Sequence, residues 1–120
     1  MSRRRLLLVD DEPDMLDCVA EVLGAHFELV LARSGLEALS ALRAHDFDAV
    51  VLDLKMASID GFDVLSYLST CKPQTKVLIA SGLPSLDRIA QRYGASDWLA
   101  KPYHLDALEE RLARLVGGSP

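Results

Sequence analysis

Five short runs rich in apolar and β-branched residues recur along the chain, at 6–9, 28–31, 49–52, 76–80 and 97–100. Each is followed by a stretch whose apolar residues return at helical spacing. Met15, Leu16, Val19, Val22 and Leu23 fall on one face of the first predicted helix, with Pro13 in its first turn, where a missing N–H costs little. The second carries Leu36, Leu39 and Leu42, the third Val64, Leu65 and Leu68, and the fifth Leu105, Leu108, Leu112 and Leu115. The fourth, roughly 85–93, is short. Strands that alternate with helices pair in parallel through right-handed crossovers. The pattern therefore predicts an α/β fold, a parallel sheet with helices on both faces.

A chain of 120 residues, half of them hydrophobic, suits one domain and can bury a substantial core. The net charge of −5 disfavours phosphate backbones and anionic lipid, so neither direct nucleic-acid binding nor membrane association is expected. Arg3, Arg4 and Arg5 precede an apolar run too short for a signal peptide, and no run approaches the roughly 20 residues that span a bilayer. Cys18 and Cys71 both sit in amphipathic helical patterns and form no disulfide framework, which fits a reduced, cytoplasmic setting. His26, His45 and His104 have no metal-ligand spacing.

Open α/β sheets place their chemistry outside the carboxyl ends of the strands. Four of the five strands end in polar or reactive residues: Asp10 and Asp11 after the first, Asp53 after the third, Ser81 and Gly82 after the fourth, Lys101 and Pro102 after the fifth. In such a sheet these groups converge on one shallow cleft. Two like charges 4 Å apart cost about 4 kcal/mol at an effective dielectric of 20, so three carboxylates there require either a proton or a cation. Ligation by oxygen alone suits Mg²⁺ better than zinc. A hard cation, a nucleophilic carboxylate, a hydroxyl and a fixed ammonium are the parts that phosphoryl transfer needs.

Together VDDE at 9–12, VVLDLKM at 50–56, DG at 60–61, ASG at 80–82 and GASDWLAKPY at 94–103 resemble the receiver domain of two-component response regulators, over residues 6–116. The resemblance implies a flavodoxin-like, doubly wound (βα)5 fold with strand order 2-1-3-4-5, a receiver over 1–116, and a tail or cut linker at 117–120. It also implies that Asp53 accepts a phosphoryl group. Asp10, Asp11, Asp53 and the backbone carbonyl of Lys55 would hold Mg²⁺, with Mn²⁺ an alternative. By the same resemblance Ser81 is the switch hydroxyl and Lys101 pairs with the phosphoryl group. Trp98 stands at the switch-aromatic position, Gly82 leaves room for the phosphoryl group, the Lys101–Pro102 bond is cis, and Lys55 and Leu83 flank the path of the hydrolytic water. The implied partners are a sensor histidine kinase or a histidine phosphotransfer protein, and a downstream effector domain or protein. A homodimer is left open.

Taken singly, the same residues have simpler readings. Asp11 reads as a helix cap, Asp53 as a turn cap, Ser81-Gly82 as a turn and Trp98 as core. Two other functions fit parts of the pattern. One is a receiver-like interaction module that works without phosphorylation. The other is a Mg²⁺-dependent phosphatase like the haloacid-dehalogenase-like hydrolases, but those carry a second aspartate two positions after the nucleophile, where this chain has Lys55. The chain is thus expected to be a signalling module that catalyses only its own phosphorylation and slow dephosphorylation. Three features depart from the family pattern: Ala57 in place of a common proline, Trp98 in place of Tyr or Phe, and a spacing from Ser81 to Lys101 about two residues short, around the fourth helix.

Overall fold

The computed structural model describes residues 3–55 and 61–117. Met56, Ala57 and Asp60 of the expected motifs, and the tail residues 118–120, lie outside the described residues. Five strands, β1 (Arg4–Val9), β2 (Phe27–Ala32), β3 (Ala49–Leu52), β4 (Lys76–Ser81) and β5 (Asp97–Ala100), alternate with α1 (Pro13–Leu23), α2 (Gly35–Ala44), α3 (Gly61–Cys71), α4 (Leu86–Tyr93) and α5 (Leu105–Leu115). The strands form one parallel sheet in the order β2-β1-β3-β4-β5, as expected.

The central strands are buried on both faces because their side chains alternate between two cores. Leu6 and Leu8 of β1, with Ala49 and Val51 of β3, pack under α1 and α5 against Leu16, Val19, Leu23, Leu108 and Leu112. Leu7, Val9, Val50 and Leu52 face the other way, against Ala38 and Leu42 of α2, Val64, Leu65 and Leu68 of α3, and Leu86 and Ala90 of α4. The arginines that open the chain tie down its edge. Arg3 donates to the carbonyl oxygens of Gly24 and Phe27, Arg4 lies 3.8 Å from Asp48, and Arg5 lies 3.5 Å from its cross-strand partner Glu28.

One helix face differs from the expectation. Leu36 is 61% exposed, and α2 meets the sheet through Gly35, Ala38 and Leu42, with Leu39 only partly covered. Small residues let the helix lie close to the strands, and hydropathy periodicity cannot register them. Its start follows the rules of local hydrogen bonding: Ser34 Oγ accepts the Glu37 N–H at 3.1 Å, and Glu37 Oε1 accepts the Arg33 N–H at 3.1 Å. Helix α4 is as short as its sequence suggests, eight residues behind Ser85, which has a left-handed φ of 60°. No helix among the described residues is long and apolar enough to cross a membrane.

Candidate functional site

The sheet's hydrogen-bond ladder runs past the ends of its strands and sets the site residues in register. Asp10 N–H donates to the Ala32 carbonyl at 3.1 Å and Asp53 N–H to the Val9 carbonyl at 3.0 Å, which places the two aspartates one rung beyond β1 and β3. Lys101 N–H donates to the Ser81 carbonyl at 2.9 Å and extends the pairing of β4 with β5. Helices flank opposite faces on the two sides of β1 and β3, so the crevice expected at a topological switch point opens where these residues emerge.

Asp10, Asp53 and Ser81 are the buried polar side chains among the described residues, at 7%, 5% and 0% exposure. One carboxylate oxygen from each of Asp10, Asp11 and Asp53 lies within 4.8 Å of the others, with Asp11 exposed at the rim. The Lys101 ammonium, arriving from the far end of the chain, lies 2.7 Å from Asp10 Oδ2, 3.4 Å from Asp53 Oδ2 and 3.5 Å from Glu12 Oε1. Main-chain donors complete the shell: Glu12 N–H to Asp10 Oδ1 at 3.0 Å, Lys55 N–H to Asp53 Oδ1 at 3.2 Å, and Leu83 N–H to Ser81 Oγ at 3.3 Å. No buried side-chain polar atom among the described residues lacks a partner.

The electrostatics follow from this packing. Burial pushes the Asp53 carboxyl up from the usual aspartate range, and neighbouring Asp10 adds to the rise, against the Lys55 N–H and the Lys101 charge. Burial pulls the Lys101 ammonium down, but its bond to Asp10 and the charges of Asp53 and Asp10 outweigh that and hold it above the ordinary lysine value. Burial likewise raises Tyr103. A carboxyl raised by folding binds its proton more tightly in the folded chain than in the unfolded one. Stability therefore falls as pH rises through the window between the usual aspartate value and the folded one. In chelator-treated protein, Asp53→Asn is expected to stabilise the fold at neutral pH by about 1 kcal/mol, because it removes a desolvated charge beside Asp10 and Asp11. Urea denaturation from pH 8 down to 4.5 checks this: the advantage must shrink as the medium becomes acidic, and an advantage independent of pH would contradict the electrostatic cause.

The structure brings together Asp10, Asp11, Asp53, Ser81 and Lys101, and the Lys101–Pro102 bond is cis. Gly82 is exposed, and a Cβ there would meet nothing within 4 Å. Lys55 is exposed and Leu83 half-buried. Two of the simpler readings fail: Trp98 is 38% exposed on β5 and so is not core, and the cap position of α1 is Glu12, not Asp11. Three further residues belong to the site without a distinctive signal in the sequence. Glu12 reaches Lys101. Tyr103 lines a narrow cavity with Asp10, Met15 and Asp53, its hydroxyl 3.8 Å from Met15 Sδ. Gly61, which the DG motif contained without explaining, donates its N–H to the Leu54 carbonyl at 2.9 Å and packs against the Asp53–Leu54 backbone. A much wider groove opens at the opposite end of the sheet, beside Asp46, Lys72 and Lys76, and contains none of these residues.

A family-wide sequence model, that of the response regulator receiver domain, matches residues 6–113. The chain belongs to this family. It is 39% identical over its whole length to the transcriptional regulatory protein TcrA of Mycobacterium tuberculosis, of which it covers 49%, so the receiver spans about half the length of that relative. Its fold superposes on a CheY-like receiver domain protein from Methanospirillum hungatei with a TM-score of 0.91, at 24% identity, covering 97% of this chain and 95% of that one. The response regulator TrrA of Thermotoga maritima, solved in complex with Mg²⁺-BeF, gives a TM-score of 0.84 at 27% identity, over 93% of this chain and 98% of that one. Receiver domains of this family are in general phosphoacceptors and signalling modules, not enzymes acting on external substrates.

Proposed function

We propose that Asp53 is the phosphoacceptor of a receiver spanning 1–116, loaded from the phosphohistidine of a sensor kinase or phosphotransfer protein, and that the phosphorylated state alters contacts with an effector. The observation that carries this reading is the convergence of the buried Asp10, Asp53 and Ser81 with Lys101 at the switch point. The donor set also fits a hard divalent cation. Three carboxylate oxygens within 4.8 Å of one another carry more negative charge than one ammonium offsets, and oxygen-only ligation selects Mg²⁺ or Mn²⁺. Asp10, Asp11, Asp53 and the Lys55 carbonyl would hold it, and when bound it neutralises charge on the phosphoryl oxygens.

The Asp53 carboxylate attacks phosphorus in line. The new O–P bond forms as the P–N bond to the donor imidazole breaks and the electron pair leaves with that nitrogen. Burial raises the basicity of this nucleophile and keeps bulk water from it. Ser81 Oγ, an acceptor toward Leu83 N–H, still has its own proton to donate, and Lys101 has only to move its ammonium from Asp53 to the phosphoryl oxygens. Contacts that exist only in the phosphorylated state bias the loops after β4 and β5 between two conformations. Cys18 and Cys71 are free and exposed, in keeping with a cytoplasmic setting.

Treatment of the folded chain with acetyl phosphate and Mg²⁺ is expected to add one phosphoryl group by intact mass, and Asp53→Asn to add none. Trp98 fluorescence, followed with a beryllofluoride mimic in parallel, reports whether β5 responds. A folded wild type that takes up no phosphoryl group would leave the chain as a constitutive interaction module.

A further inference from the structure

Lys101 has three carboxylate partners, and they are not equivalent. Asp10 and Asp53 also belong to the oxygen cluster suited to the divalent cation, whereas Glu12 does not. Glu12 occupies the N-cap of α1 yet makes no capping bond with its side chain. Its main chain is fixed by the Asp10 Oδ1 bond, which leaves an exposed carboxylate on a short tether 3.5 Å from the ammonium. Two cations sharing Asp10 and Asp53 repel each other, and Lys101 needs another anion close by if it is to yield those oxygens without leaving the cleft. We propose that Glu12 is a positioning residue that retains Lys101 at the mouth of the site when Asp10 and Asp53 are engaged by the cation. It thereby eases cation binding and keeps the ammonium within reach of the incoming phosphoryl group. The inference rests on the phosphoacceptor reading given above.

The test is a double-mutant cycle on Mg²⁺ affinity, measured by calorimetry without any phosphodonor, in wild type, Glu12→Gln, Lys101→Met and the double variant. With Lys101 present, Glu12→Gln is expected to weaken Mg²⁺ binding about 2–5-fold, the range open to an exposed ion pair. With Lys101 removed, the same change should leave affinity nearly unaltered, since no ammonium then needs holding. Equal weakening in both backgrounds would mean that Glu12 acts directly on the cation, and no weakening in either that it does nothing. Both results overturn the proposal, as does a wild type that binds no Mg²⁺. If Lys101→Met fails to fold, Lys101→Gln takes its place. Intact mass after acetyl phosphate, run on the same samples, separates the two levels: coupling without an adduct defeats the phosphoacceptor reading, and with it the presentation of Lys101 to a phosphoryl group, whereas an adduct without coupling defeats the role of Glu12 alone.

Discussion

Replacing Gly61 by alanine is expected to lower stability by about 3 kcal/mol, the upper part of the overpacking range, and the melting temperature by roughly 10 °C. A Cβ at that position falls far inside van der Waals contact with the Asp53 carbonyl oxygen and the Leu54 Cα. Both are backbone atoms of the segment that carries the proposed phosphoacceptor Asp53, so no side-chain rotation relieves the clash. Either α3 moves off the sheet or Asp53 shifts, and a displacement of about 1 Å at a reacting group costs up to 100-fold in rate. The variant should therefore lose at least tenfold in phosphorylation rate per folded molecule as well as stability. Gly82→Ala is the control: a Cβ there meets open space, and its stability should stay within about 0.5 kcal/mol of wild type. Thermal melts of the two variants, with phosphorylation rates corrected for the folded fraction, test both halves.

Lys101→Met is expected to destabilise the chelator-treated protein by about 2–3 kcal/mol, somewhat less than the loss of one partner from a fully buried pair because Asp11 and Glu12 face solvent. The substitution leaves Asp10 and Asp53, both nearly inaccessible, without their shared cation. The sign with pH follows from the groups involved. A lysine raised by folding contributes its full stabilisation below the unfolded lysine value of 10.5 and loses it only as pH climbs through the higher folded one, so the wild-type advantage holds at neutral pH. It narrows in acid, where Asp53 takes up a proton and the variant's uncompensated charge falls. Millimolar Mg²⁺ should restore much of the loss by supplying the missing positive charge, while phosphorylation stays slow for want of the Lys101 contact. Urea denaturation with and without Mg²⁺ decides the matter: a variant as stable as wild type in chelator, or one that Mg²⁺ leaves unchanged, contradicts the view of Lys101 as resident counter-ion to the acidic cluster.

Much of this was legible in the sequence because its signals were local. Residues 49–52 and 97–100 are β-rich runs of the observed strand lengths, and the uniformly apolar 6–9 reads as a strand covered on both faces, which it is. Asp10, Asp53, Ser81 and Lys101 were visible because a parallel sheet collects its strand ends, so position along each strand already implied convergence in space. What escaped depended on volume or on contacts between distant parts of the chain. On α2 the expected stripe holds at Leu42 and in part at Leu39 but fails at Leu36, which is exposed, while Gly35 and Ala38 are buried there with little hydropathy signal of their own. Glu12 looked like one more acid in a run of three until the chain's other end placed an ammonium beside it. Gly61 gave no hydropathy signal at all, since its importance lies in a Cβ that is absent.

The central claim, that Asp53 is the phosphoacceptor in a divalent-cation site, is tested most directly by locating the phosphoryl group. Wild-type protein incubated with acetyl phosphate and Mg²⁺ would be reduced with borohydride, which converts an acyl phosphate to the alcohol, then digested and mapped by mass spectrometry. Modification at Asp53 alone, lost when a chelator replaces Mg²⁺, is the predicted result. Modification at another carboxylate or at a histidine, or none at all in folded protein, would contradict it.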